Sequence, residues 1–322
     1  MVKPIKTQPV FKQYIWGGSA LKDKYNKDIQ DNFAAESWEI SCHEDGLSLV
    51  AEGEHKGRLL RDVIYENKEE MLGSCDCEQF PLLVKFLDAN DKLSVQVHPD
   101  DEFAWEHENG SLGKTEMWYV IDAKPGAKLV YGLKDGVTRE EFAEAVENGT
   151  LENLLNFVPV KKGDTFFIPS KTIHAICEGL LIAEIQQSSN TTYRVYDYNR
   201  RDKNGNTREL HTEKAIAVAN MDDIEGKEKV VPHTADINGT KVSVLVNCEY
   251  FEVVKYELNG EINISCEDFQ LFVCTEGCGS ITYNGEKTDF NAGDSIFIPA
   301  ALQNYTLCGN ADVLISRVPK NQ

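Results

Sequence analysis

The sequence predicts a mainly β protein with a few helical insertions. Three observations carry that expectation: the turn chemistry, a C-terminal stretch without helical period, and an internal repeat built on a strand. Asn-Gly occurs at 109–110, 148–149, 204–205, 238–239, 259–260 and 284–285. Between strands this dipeptide signals a hairpin, because both residues tolerate positive φ. Strand-like neighbours accompany four of the six. The runs Val242–Val246, Phe251–Tyr256, Ser280–Tyr283 and Ser295–Ile298 are short and rich in β-branched and aromatic residues. From about 240 to 318 no helical period is present, so this end reads as an all-β sandwich or barrel.

The repeat links the two halves. Gly163-Asp-Thr-Phe-Phe-Ile-Pro169 and Gly293-Asp-Ser-Ile-Phe-Ile-Pro299 share one pattern. Gly-Asp supplies a turn, the apolar run a buried strand, and Pro its end. Eleven residues beyond each glycine stand His174 in the first copy and Asn304 in the second. If the copies share a fold, the first can bind a metal there and the second cannot.

Helical patterning is confined to three places. Leu59 to Leu72 is amphipathic. Thr138-Arg-Glu-Glu141 fits a capping box ahead of a helix that Asn148-Gly149 stops. Glu213 to Met221 is the third. These do not form a βαβ series, which argues against a Rossmann-type sheet.

The chain has 322 residues, a length suited to two domains of roughly 150 residues each. Its 33 Lys+Arg against 53 Asp+Glu leave a formal charge of −20. Such a field repels nucleic acid and anionic membrane surfaces, so neither is an expected partner. The N-terminus has no apolar run of signal-peptide type, and no stretch is long enough for a spanning helix. The nine cysteines are odd in number and not paired at zinc-finger spacing. They read as reduced thiols of a cytoplasmic protein.

The chemistry lies before and within the first repeat copy. Gln96 and His98 are two apart in Lys92-Leu-Ser-Val-Gln-Val-His-Pro-Asp100, and on a strand they share a face. Glu116 opens a second strand-like run and His174 follows the Gly-Asp strand. Two imidazoles, a carboxylate and an amide oxygen suit Zn²⁺, with open positions for catalysis. On spacing alone, a hydrogen-bonded core role for His98 and a surface role for Glu116 stay open.

The segments Gln96-Val-His-Pro-Asp-Asp101, Gly113-Lys-Thr-Glu116, Phe167-Ile-Pro169 with His174, and Glu184-Ile-Gln-Gln-Ser-Ser-Asn-Thr-Thr-Tyr-Arg194-Val-Tyr-Asp197 resemble type I mannose-6-phosphate isomerases. They resemble the short bacterial form in particular. The resemblance extends to Ile15-Trp-Gly-Gly18 and Glu36-Ser-Trp-Glu-Ile40, and so covers most of the chain. It implies two cupin-like β-barrels of jelly-roll type with helical insertions. We expect a catalytic cupin domain over 1–235 and a C-terminal cupin-like β domain over 236–322 that lacks the metal site. The 17 residues between His98 and Glu116 exceed simple cupin spacing, so the segment from Glu102 to Gly113 is expected to be a loop.

The resemblance implies one Zn²⁺ per chain held by Gln96, His98, Glu116 and His174, with Arg194 as the active-site arginine. The implied reaction interconverts mannose 6-phosphate and fructose 6-phosphate through a cis-enediol(ate). A base must take a carbon-bound proton and return it on the same face. Glu184, on the apolar run Leu180–Ile185, is the leading base, because desolvation raises a carboxyl pKa. His98 and Lys114 are rivals. A structural ion pair between Glu184 and Arg194 is the bland alternative. The phosphate needs local positive charge, for which we name Lys85, Lys114, Arg194 and Arg200, with Ser94 adding a hydroxyl. Lys85 either points into the pocket or snorkels to the surface. Trp16, beside two glycines, is a core anchor or a pocket wall.

Two other readings compete with the isomerase. An iron-dependent cupin oxygenase uses a similar ligand set. A non-catalytic sugar- or metabolite-binding cupin protein keeps the fold without turnover. The partner in every reading is a small molecule, and the assembly is a monomer or small homo-oligomer.

Overall fold

A computed structural model describes residues 2–75, 77–201, 204–221, 229–265 and 267–320. The first third of the chain forms β1 (Ile5–Gln8), β2 (Val10–Lys12), α1 (Ala20–Tyr25), β3 (Glu36–Ile40), β4 (Leu49–Val50), α2 (Leu60–Glu66), α3 (Lys68–Leu72) and β5 (Leu82–Ala89). Next come β6 (Val95–Val97), α4 (Asp101–His107), β7 (Glu116–Ala123), β8 (Lys128–Leu133), α5 (Arg139–Glu147), β9 (Leu155–Pro159), β10 (Thr165–Ile168), β11 (His174–Ile176), β12 (Leu180–Gln187), β13 (Tyr193–Tyr196) and α6 (Thr212–Val218). The remainder is β14 (His233–Ile237), β15 (Thr240–Asn247), β16 (Glu252–Ser265), β17 (Gln270–Tyr283), β18 (Glu286–Asn291), β19 (Ser295–Ile298) and β20 (Asn304–Arg317). None of the described helices is long and apolar enough to cross a membrane.

The strands form three sheets. One runs β10-β7-β12-β5-β3-β2, a second β13-β6-β11-β8-β9, and a third β14-β15-β16-β20-β17-β19-β1-β4 with β18 beside β17. The fold is mainly β and cupin-like, as expected, but the sheets are open ladders rather than closed barrels. β1 crosses between the halves, pairing Ile5 with Phe297 on β19 and Thr7 with Val50 on β4. The N-terminus is therefore built into the C-terminal sheet.

Period-2 alternation sets the layers. On the six-stranded sheet Leu82, Val84, Phe86, Met117, Tyr119, Ala183 and Ile185 face a core shared with Leu271 and Phe297 of the C-terminal sheet. The alternate positions Leu87, Trp118, Val120, Phe166 and Ile182 pack on Leu129, Tyr131 and Ile176 of the five-stranded sheet. That sheet's far face, with Val95, Val97, Val130 and Val195, is covered by Phe142 of α5 and Ala215 of α6. Because the middle sheet is buried on both sides, its strands read as almost continuous apolar runs. A polar residue on its inner face faces the second sheet rather than water.

The repeat is a structural one. Gly163 and Gly293 take φ of 88° and 90°. Asp164 accepts from the Lys161 amide at 3.0 Å, and Asp294 from the Asn291 amide at 2.9 Å. Each glycine donates to the neighbouring strand, to the Val120 and Cys274 carbonyls, both at 2.8 Å.

The helices differ in detail from the expectation. The capping box of α5 forms as read, with Thr138 and Glu141 bonding reciprocally. The single helix from Leu59 to Leu72 is two, broken at Asn67 with φ −140° and ψ 59°, whose side-chain Nδ2 donates to the Glu70 carboxylate at 2.6 Å. The expected loop between Glu102 and Gly113 contains α4, capped by the Asp100 carboxylate accepting from the Phe103 amide at 3.1 Å. Asn238-Gly239 and Asn284-Gly285 make hairpin turns with φ positive at both residues. Asn259-Gly260 lies inside β16 and turns nothing, because both flanking runs pair in one continuous register with β20.

Candidate active site

Two rows of side chains face each other between the inner sheets. On the five-stranded sheet, Arg194 pairs with Gln96, Gln96 with His174, and His174 with Tyr131. On the six-stranded sheet the row is Phe166, Trp118, Glu184, Lys85 and Trp38. Directly paired residues project to the same side, so each row is one line across a face. Glu116, two before Trp118, and Ser94, two before Gln96, join the same faces. Sequence distances of 78 and 99 residues thus close to neighbouring positions, from Gln96 to His174 and from Lys85 to Glu184.

His98, Glu116 and His174 converge in one buried cluster, their donor atoms all within 4.8 Å of one another. The two Nε2 atoms are 3.1 Å apart, and Glu116 lies 3.2 Å from His98 Nε2 and 3.8 Å from His174 Nε2. Each imidazole places Nδ1 on a backbone carbonyl, His98 on Thr191 at 2.9 Å and His174 on Thr172 at 2.8 Å. Nδ1–H then donates, and the Nε2 lone pairs point inward.

Burial, aided by the Lys114 charge, pushes His98 down to about 3. Burial also lowers His174. Burial opposes ionisation of Glu116, but Lys114, 2.7 Å away, outweighs it and holds the carboxyl well below its usual range. Neither Glu116 oxygen has a hydrogen bond of acceptable geometry among the described residues, although both are buried. Two neutral imidazoles and an unsatisfied buried carboxylate, at the spacing of donors around one ion about 2.1 Å from each, fit a divalent metal. Gln96 lies beside them with Nε2 3.3 Å from His174 Nε2. Rotation of its amide presents the oxygen instead.

A cavity of about 250 Å³ opens beside the cluster. Gln96, Ser94, Lys85, Lys114, Glu184 and Arg194 line it, as does Trp16. Glu184 Oε1 accepts from Trp118 Nε1 at 2.9 Å, and Oε2 lies 3.2 Å from Lys85 Nζ. Its partner is therefore Lys85 rather than Arg194. Burial first, then the Glu116 charge, raises the Glu184 carboxyl above its ordinary value. Burial would lower Lys85, but Glu184 and Glu36, the latter 3.8 Å away, reverse that and keep the ammonium charged. Lys85 is buried and does not snorkel. Arg194 donates through Nη1 to the Glu209 carbonyl at 2.7 Å, while its buried Nε has no partner among the described residues.

Arg200 is not on the cavity wall. Its guanidinium is spent on Asp197, the Lys92 carbonyl and Asp91, a surface arrangement that the count of nearby cations in the sequence does not distinguish from a pocket one. The wall also includes Tyr14, Glu36, Asn190, Thr192 and Arg208, which sequence reasoning did not single out. Glu36 had a signal, since it alternates with Trp38 on β3. Arg208 had none, because it sits in a polar turn-rich stretch with no period.

Two β-sheets enclosing a buried His–Glu–His cluster, with a second copy of the Gly-Asp strand that carries Asn304 in place of the histidine, define a cupin-type protein with a metal-competent site. The model for the type I phosphomannose isomerase catalytic domain matches residues 5–125, and that for the mannose-6-phosphate isomerase cupin domain matches 241–318. The mannose-6-phosphate isomerase ManA of Bacillus subtilis is 40% identical over 317 residues, covering 98% of this chain and 99% of that protein. The crystal structure of the mannose 6-phosphate isomerase from Bacillus subtilis superposes with a TM-score of 0.93 at 38% identity, over 98% of this chain and 100% of that one. A mannose 6-phosphate isomerase bound with zinc and yttrium shares the fold, with a TM-score of 0.81 at 16% identity over 99% of this chain and 100% of that one. The chain belongs to the type I mannose-6-phosphate isomerase family, enzymes of the aldose–ketose isomerase class.

Proposed function

We propose that the chain interconverts mannose 6-phosphate and fructose 6-phosphate by moving a proton between C1 and C2 of the open-chain sugar through a cis-enediol(ate), with one Zn²⁺ per chain. The observation that carries this reading is a cavity lined by Glu184, a carboxylate with a raised pKa, that opens beside the buried His–Glu–His cluster. His98, Glu116 and His174 would hold the ion, with Gln96 as a fourth ligand. Bound there, zinc supplies Lewis-acid stabilisation of the negative charge that develops on the sugar oxygens.

Glu184 is the base. The Trp118 indole N–H and the Lys85 ammonium fix its two oxygens, so the carboxylate meets the substrate carbon in one orientation. A raised pKa places it nearer the working pH than a surface glutamate, and its conjugate acid returns the proton on the same face. The rivals are otherwise engaged: His98 Nε2 faces the cluster, and Lys114 Nζ stands against Glu116. Arg194 presents a positive charge beside Gln96 and steadies the sugar oxygens. The catalytic unit is proposed to span 1–235, and the unit over 236–322 to be a packing partner without chemistry.

A coupled assay of mannose 6-phosphate conversion tests this, run before chelation, after it, and after zinc is added back. Activity should vanish with chelator and return with zinc. A chelated protein of full activity would remove the metal from the reaction, and a zinc-loaded protein with no activity would remove the substrate.

A further inference from the structure

The negative field of the chain makes phosphate capture a local problem, and the cations of the cavity are not equivalent. Lys114 and Lys85 stand against buried carboxylates, Glu116 at 2.7 Å and Glu184 at 3.2 Å. Their charges are largely compensated before any substrate arrives. Arg194 is bonded to a backbone carbonyl, not to a carboxylate.

Arg208 is placed differently. It lines the cavity, and Asp197 grips one edge of its guanidinium, Nε donating to Oδ2 at 2.7 Å and Nη2 donating to Oδ1. A planar guanidinium held along one edge keeps the opposite edge free to donate a second pair of hydrogen bonds. Asp197 is buried, and its Oδ1 also accepts from Arg200 Nη2. One buried carboxylate therefore sits among three guanidiniums, those of Arg194, Arg200 and Arg208. Asp91 lies 3.5 Å from Arg200 at a half-exposed position and also accepts from the Lys92 amide. Glu209 also acts on Arg194, and of the three guanidiniums only those of Arg194 and Arg208 line the cavity. The two feel each other's charge: burial lowers the Arg194 pKa most, and Arg208 lowers it further. Adjacent cations of this kind are relieved by a doubly charged anion.

We propose that Arg208, held in position by Asp197, receives the phosphate group of the substrate and sets the enzyme's preference for phosphorylated over neutral sugars. This rests on the sugar-phosphate reading above. Arg208 is a binding residue, and Asp197 a positioning residue that acts through it.

The test measures kcat and KM for mannose 6-phosphate, and the Ki of inorganic phosphate as a competitor, in the zinc-loaded wild type, Arg208→Gln and Arg208→Lys. Loss of a bidentate charge-assisted contact should raise KM by about 10- to 100-fold in Arg208→Gln, with a parallel rise in the phosphate Ki. The kcat should stay within about threefold, because the contact is the same in ground and transition states. Arg208→Lys keeps the charge without the fork and should show a smaller rise in both constants. A folded Arg208→Gln with KM and Ki within about twofold of wild type overturns the proposal. So does a fall in kcat with both constants unchanged. Should Arg208→Gln not fold, the lysine variant decides, and unchanged KM and Ki there overturn the proposal. A wild type inert towards mannose 6-phosphate overturns the substrate reading instead.

Discussion

At the scale of single residues, the site divides into groups that hold a metal and groups that hold charge. His174 belongs to the first. His174→Ala should fold, yet lose bound metal together with more than about 100-fold of its activity, read by metal analysis and the coupled assay. Retention of both would remove His174 from the site. Arg194 belongs to the second, so Arg194→Ala should keep its zinc and lose about 10- to 100-fold in turnover. Loss of metal in that variant would assign Arg194 a structural role.

Asp197 makes a pH-dependent contribution. Burial alone would raise its pKa, but Arg208 and Arg200 hold it below the ordinary carboxylate value. A depressed folded pKa gives stability that is complete above the unfolded value of about 3.9 and is lost as pH falls through the folded value. The difference in urea midpoint between wild type and Asp197→Asn should therefore be largest near neutral pH and shrink below about pH 4. A difference independent of pH would show that the ion pairs do not stabilise the fold.

At the scale of elements, the C-terminal sheet depends on a close crossing of long strands. Gly309 of β20 pairs with Gly260 of β16 on one side and Gly279 of β17 on the other. A Cβ on Gly279 would lie 2.3 Å from the Cys308 carbonyl and 2.7 Å from the Phe290 ring, a collision with backbone and core at once. Gly279→Ala should cost about 1–3 kcal/mol, measured by urea unfolding of the whole chain, with the metal site unaltered. A neutral outcome would mean that β17 and β20 separate at little cost. Sequence reasoning found part of the elements at this scale. The runs in β15, β16, β17 and β19 and the cap of α5 were legible because strand propensity and capping chemistry are local. The α4 helix was missed, although Asp100 followed by Asp101 and Glu102 is an N-terminal helix signature, because the long spacing from His98 to Glu116 was read as a loop.

At the scale of the whole molecule, the two repeat-bearing units are joined by a buried polar network. Lys27 Nζ reaches Glu39 on β3 at 2.7 Å and the Gly293 carbonyl at 2.9 Å, while Glu39 also accepts from Ser37 and Ser295. Together with β1, this ties the Gly-Asp turn of the second copy to the sheet that carries Lys85. Lys27→Met would leave the fully buried Glu39 carboxylate without its countercharge, a loss of about 3–5 kcal/mol. A fall in melting temperature in a single cooperative transition is expected. A second transition would show that the units unfold independently, and an unchanged melting temperature would show that the network does not stabilise their junction.

The sequence by itself determined the mainly β class, the duplicated Gly-Asp strand and the residue types of the metal cluster. Those are properties of local pattern: turn preference, alternation, and the shared face of Gln96 and His98. Only the tertiary structure decided which distant residues meet. Strand register brought Lys85 opposite Glu184 and His174 beside Gln96, and cross-strand pairing is set by burial of whole faces rather than by any neighbouring residues. Register likewise left the sheets open, withdrew Arg200 from the cavity and admitted Arg208, because Asp197 binds both arginines and only the folded chain shows which of them reaches the pocket.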